Sequence, residues 1–169
     1  SSGDVAVWIE DPLEKIGPTD RVRPAGQRKT AATLHLAANE SESFQVVLRP
    51  PAGKDVDNVT VRVANLVNSA AGARIDASEV SVHRVAYVPV VVSSHFENPT
   101  GPVPDPLPVF QPFTARGGES SPVWFTIYAP PGTPAGTYRG LVDITGAGMD
   151  PVELKRRFEE AVVTEWALL

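Results

Sequence analysis

The chain has 169 residues, of which 42% are hydrophobic and 21% charged, the balance of a globular protein and too apolar for a disordered one. Its 15 Lys and Arg stand against 20 Asp and Glu, a net charge of −5, which argues against nucleic acid or an anionic membrane as the main partner. No apolar run approaches the roughly 18 residues that span a bilayer, and the length suits one domain.

Cysteine is absent, so disulfides, thiolate nucleophiles and cysteine metal sites are excluded. A cysteine-free chain fits the cytosol and equally an exported protein that folds without disulfides. Residues 1–4 begin Ser1-Ser2-Gly3, with neither a charged nor an apolar leader segment, and read as a scar or processed terminus. Residues 5–169 are then a single domain.

Pro (17) and Gly (13) are abundant; both interrupt helices and favour many short strands joined by turns. Residues 5–9, Val-Ala-Val-Trp-Ile, read as a first strand stopped by Asp11-Pro12, and 13–30 as a polar loop. Apolar runs at 33–37 and 44–48 flank Asn39-Glu40-Ser41-Glu42 and suggest a hairpin. Val59, Val61 and Val63 alternate as a half-buried strand requires. The stretch 80–92 alternates until Pro89, which belongs at an edge or bulge because it donates no ladder hydrogen bond. Residues 123–128 and 137–144 complete the clear strands. Near the C-terminus Asp150-Pro151-Val152-Glu153 looks like a helix start. Yet Val152, Leu154, Phe158, Val162 and Trp166 share one parity, as a strand needs.

Candidate chemistry is sparse. Ser120-Ser121 follows Gly117-Gly118, but no nucleophile elbow surrounds it, so a polar turn is the better reading. His35, His83 and His95 are isolated, with no ligand pair at metal spacing. The carboxylate pairs Asp11 with Glu14 and Glu40 with Glu42 sit in turns, where such groups usually cap backbone amides. Asp55-Val56-Asp57-Asn58 lacks the remaining positions of a calcium loop, and Asn58-Val59-Thr60 is a formal glycosylation sequon. Arg21, Arg23, Arg28 and Lys29 read most simply as a solvated loop. No cofactor or metal is expected.

Two features remain. Residues 93–113 hold six prolines beside Phe96, Phe110 and Phe113, a stiff, extended excursion that either packs its aromatics on the core or docks another domain or borders a cleft. Trp8, Trp124 and Trp166 all lie in apolar patterns, which favours the core for each.

Several segments together resemble one family. These are Trp8 with Asp11-Pro12-Leu13-Glu14-Lys15-Ile16, and the block from Leu36 through Asn39, Glu40, Phe44 and Gln45 to Arg49-Pro50. Then come Pro104-Asp105-Pro106-Leu107-Pro108, the strand Pro122 to Tyr128, and Pro134-Ala135-Gly136-Thr137-Tyr138-Arg139-Gly140. In this order they look like the N-terminal β-sandwich domain of bacterial glycoside hydrolases related to family 123. The resemblance implies an all-β, Ig-like antiparallel sandwich of about eight strands with one long Pro-rich loop. It also implies a (β/α)₈ catalytic barrel following the sandwich and carrying the catalytic carboxylates, so no catalytic residue transfers to this chain. Gly136 would supply a turn that a Cβ resists, and Tyr138 could tie its hydroxyl back to the preceding corner. Residues 163–168, which look like the family's last sandwich strand, tip the C-terminal stretch toward strand, the partner that the Tyr138 strand needs.

The expected role is a non-catalytic accessory module, with the downstream catalytic domain as its partner, carbohydrate as a second candidate partner, and neither nucleic acid nor membrane. His95, Phe96, Asp105, Phe110 and Phe113 are the expected docking or cleft-bordering residues. The alternative is a stand-alone carbohydrate-binding module, which needs an aromatic on a flat or grooved face with polar neighbours. A secreted or periplasmic location is expected over a cytoplasmic one.

Overall fold

A computed structural model describes residues 5–92, 100–149 and 160–163. The described strands are, in chain order, β1 (Ala6–Glu10), β2 (Thr33–Leu36), β3 (Glu40–Arg49), β4 (Val56–Val63), β5 (Leu66–Asn68), β6 (Ala73–Ile75), β7 (Val80–Arg84), β8 (Tyr87–Val90), β9 (Gly101–Pro104), β10 (Phe113–Ala115), β11 (Ser121–Ala129), β12 (Gly136–Tyr138), β13 (Val142–Thr145) and β14 (Glu160–Val163). Among the described residues only short 3₁₀ turns are helical. The chain is all-β, with more and shorter strands than the eight expected from sequence, because bends divide several long runs.

One layer is the sheet β1-β3-β11-β7. Its long strands, β3 and β11, pair antiparallel from Ser121↔Leu48 to Ala129↔Glu40. The second layer is built on β10-β4-β13, extended where the Val67 and Arg139 amides each donate to the other's carbonyl, at 2.8 and 3.0 Å. Beyond it β12, β14 and β2 form a third ladder, in which β14 runs parallel to β2. The core lies between these layers, where Phe44, Val46 and Leu48 of β3 and Val123, Phe125 and Ile127 of β11 meet Val59, Tyr138 and Ile144. Phe44 and Phe125 stack at 5.0 Å between ring centroids, a geometry that adds to the burial of each ring.

Residues 33–48 depart from the expected hairpin. β2 and β3 do not pair; β3 pairs with β1 and β11, and β2 with β14. Asn39, in the left-handed region at φ 67°, turns the chain so that it leaves one layer for the other, with Leu36 fully buried between them. In β4 both Val56 and Val59 are buried. Three residues apart, they can share a face only because a bulge, with Asn58 at φ 52°, adds a residue between them.

The Tyr138 strand gains the partner it needed, since Thr137 pairs with Val162. The expected helix start at Asp150 and the stretches 150–159 and 164–169, with Trp166, lie outside the described residues. Tyr138 is fully buried and its hydroxyl donates to Pro134 O at 2.8 Å, as a tyrosine corner does.

The described part of the Pro-rich excursion, from residue 100 onward, forms a long β-ribbon with residues 80–90. β7 bends at Val85 and Ala86 and continues as β8, β9 returns antiparallel, and residues 105–110 run on beside β7. At its base Arg84 N donates to Pro108 O and Phe110 N to Val82 O, at 3.0 and 3.1 Å. Pro89 faces Pro102 across the two-stranded part, an edge position that needs no donor from either. Two bonds fix the bend, from Val85 N to Pro122 O at 3.1 Å and from the Tyr87 hydroxyl to Ile16 O, also at 3.1 Å.

Candidate functional site

Two surfaces stand out, and both follow from how the β1-β3-β11-β7 sheet is covered on its outer side. Strand alternation sends Trp8, Glu10, Gln45 and Val47 outward on β1 and β3, and all four are buried, because the loop at 11–30 folds over them. Trp8, Ile16 and Val47 form a small second core there, with Val22 packed on it. Polar bonds fasten the loop. Gln45 Nε2 donates to Asp11 O at 3.0 Å and Glu14 O at 2.9 Å. Arg49 Nη1 donates to Asp20 O at 2.5 Å and Ser120 Oγ at 3.2 Å. The Trp8 indole donates to Glu10 Oε1 at 2.8 Å, and both Glu10 oxygens also take bonds from Arg23. Beside that carboxylate the Arg23 guanidinium is pushed above its usual pKa. Arg23 is therefore a clamp on a buried acid, which corrects the reading of this basic stretch as merely solvated.

The loop reaches only the start of β11, where Pro122, opposite Val47, is fully buried. Trp124, Thr126 and Tyr128 alternate with the core residues of that strand and stand half-buried on the outer face. Trp124 is thus on a surface rather than in the core, where its apolar neighbours had suggested it belonged. Its partners across the sheet are Gln45 and His83, with Val109 bridged to His83 beyond. Ser43 and Ser81 flank Thr126, and Ser43 Oγ lies 2.8 Å from Thr126 Oγ1. Trp124 Nε1 donates to Thr126 Oγ1 at 3.1 Å and the Tyr128 hydroxyl to Asn39 Oδ1 at 2.7 Å. Both rings are pinned through their polar atoms.

The second surface is the ribbon. Val91 is 86% exposed, Val92 83% and Val109 69%, with Val88 and Leu107 exposed beside them. Of the residues expected to dock a partner, Phe113 is buried and Phe110 packs against it edge-on at 6.0 Å. Arg84 lies over the Phe113 ring, 4.4 Å from its centroid. Asp105 is exposed, its amide bonded to Ala86 O at 3.2 Å. His95 and Phe96 lie outside the described residues. Phe110 and Phe113 thus anchor the base of the ribbon while valines present its apolar surface. The consecutive Val90-Val91-Val92 was the available signal: in a two-stranded ribbon such a run cannot bury every member.

Of the four carboxylates expected to cap turns, Asp11 and Glu40 are seen doing so. Asp11 Oδ1 accepts from Leu13 N at 2.8 Å and Glu40 Oε2 from Ala37 N at 2.7 Å. A groove of about 500 Å³ brings Asp11, Glu42, His35 and Lys29 to one lining, a juxtaposition from four separate segments that the sequence did not suggest. Among the described residues no group of His, Cys, Asp and Glu is placed to hold a metal ion. Asp55 is held below the usual carboxylate pKa by the Gly117 amide and by Arg116, and ties the 115–118 turn to the start of β4.

The fold is shared with a family 123 glycoside hydrolase from Clostridium perfringens whose structure was analysed for glycolipid glycan hydrolysis. That match covers 97% of this chain and 28% of the other, with a TM-score of 0.77 and 12% identity. No curated protein matches the sequence. The profile of the glycoside hydrolase 123 N-terminal domain matches residues 20–146, and the chain belongs to that family.

Proposed function

We propose that this domain is a non-catalytic accessory module of a glycoside hydrolase, and that it packs through its valine-rich ribbon on a catalytic (β/α)₈ barrel that follows it in the same polypeptide. The observation that carries this reading is the ribbon itself. It projects from a sandwich whose own core is closed, and it exposes Val88, Val91, Val92, Leu107 and Val109. A concentration of apolar side chains on a protruding element is the mark of a surface that another body covers. Membership in an N-terminal domain family supports the position of that body downstream, and the matched region is only 28% of the Clostridium perfringens enzyme. Asp11 and Glu40 hold turn amides, which suits a scaffold better than acid–base chemistry.

The size of the native polypeptide tests this. An antibody raised to the chain should detect a band several times larger than 18.0 kDa in the source organism, and glycosidase activity should be depleted with it. A native band near 18 kDa would sink the accessory reading.

A further inference from the structure

The docking role makes no use of the outer face of β11. Trp124, Thr126 and Tyr128 stand there in line, half-buried, with Ser43 on one side and Ser81 and His83 on the other. Along an extended strand, Trp124 and Tyr128 are about 13 Å apart, a span longer than one pyranose ring. The indole and phenol are fixed by bonds to Thr126 Oγ1 and Asn39 Oδ1, so a ligand meets rings that are already oriented and little order need be imposed on binding. The hydroxyls between and beside the rings each keep hydrogen-bonding capacity, since a hydroxyl offers one donor and two acceptor positions. No lysine, arginine, aspartate or glutamate is among these six side chains. The turn at 11–14, fastened to Gln45, bounds the face beside Trp124.

We infer that this face binds a neutral carbohydrate chain, with Trp124 and Tyr128 as stacking platforms and Ser43, Ser81 and Thr126 as hydroxyl partners. Apolar C–H faces of a pyranose match aromatic rings, and its equatorial hydroxyls match a row of Ser and Thr. A nucleic acid or an anionic glycan would need cations that the face lacks. A protein partner of the usual kind would favour a more apolar centre with a charged rim. Val109 of the ribbon borders this face through its bridge to His83, but none of the stacking or hydroxyl residues belongs to the ribbon, so glycan binding does not depend on the docking role and survives its failure.

The test uses the whole chain, fluorescently labelled, on a printed array of neutral and acidic oligosaccharides, followed by titration with the best neutral ligand. Binding to neutral glycans is expected. Trp124→Ala should lower the affinity by about tenfold or more, one stacking contact's worth. Ser81→Glu, at an exposed position that does not contribute to the core, should do likewise while the thermal melt stays unchanged. Trp8→Phe, beneath the 11–30 loop, should leave the affinity as it was. Three results would each overturn the inference: no binding to any neutral glycan, a preference for sulfated or sialylated ones, or affinity that survives both Trp124→Ala and Ser81→Glu.

Discussion

The side-chain amide of Asn68 occupies the space in front of Gly136. Asn68 is buried, and its Oδ1 accepts from the Ala70 and Ala71 amides at 3.1 Å each, so it cannot withdraw without releasing a turn. Gly136 itself lies at φ +142°, a conformation that residues with a Cβ rarely adopt. Gly136→Ala should therefore cost about 3 kcal/mol, combining backbone strain with a collision. Gly132, at φ +81° with open space where a side chain would point, provides the contrast: Gly132→Ala should cost about 1 kcal/mol. Urea unfolding of both variants gives the comparison, and equal losses would refute the steric account.

Gln45 fastens the 11–30 loop. Gln45→Met keeps the volume but removes the donor to Asp11 O and Glu14 O, and should cost about 1–2 kcal/mol. Hydrogen exchange by mass spectrometry should show faster exchange in peptides covering the loop and no change in β13. A uniform rise across the chain would mean that Gln45 supports the whole core rather than the loop.

Tyr87 should make stability fall at high pH. Burial pushes its phenol up to about 12 from 10.0. The folded state then keeps a proton that the unfolded state loses, so this contribution is fully present below pH 10 and disappears as the pH rises through 12. Tyr87→Phe removes the ionisable group together with the bond to Ile16 O. Wild type and variant melts should converge between pH 10 and 12, whereas parallel curves would show that Tyr87 does not titrate with folding.

Val91→Asp with Val92→Asp separates docking from folding. Both positions are more than four-fifths exposed, so the isolated chain should keep its stability within about 0.5 kcal/mol. In the longer polypeptide of the proposed reading, the same pair should lower the temperature at which glycosidase activity is lost. Unchanged thermal inactivation would count against the ribbon as the docking element.

The architecture was legible where one periodicity held. Residues 123–128 were read as a strand and lie within β11, and the Pro-Ala-Gly-x-Tyr-x-Gly segment announced both the Gly136 turn and the Tyr138 corner. It failed where two forces share a short segment. The runs at 33–37 and 44–48 look like a hairpin locally, but Leu36 is buried between layers and β2 pairs with distant β14, which only long-range packing decides. Trp124 was misplaced because its apolar neighbours belong to the opposite face of the strand. The aromatic surface and the exposed valines were written in the chain, but which faces the 11–30 loop would cover was not.

β3 carries two unlike demands along one backbone. Phe44, Val46 and Leu48 fill the core, while Ser43, Gln45, Val47 and Arg49 meet the surface loop and the β11 hydroxyls. A slip of one residue in its pairing would exchange the two sets. The core would receive an amide and a guanidinium, and the loop would lose its anchors at the same moment. Misregistered pairings are thus penalised from both sides of the sheet, so β3 serves as the alignment rail on which the rest of the sandwich takes its register.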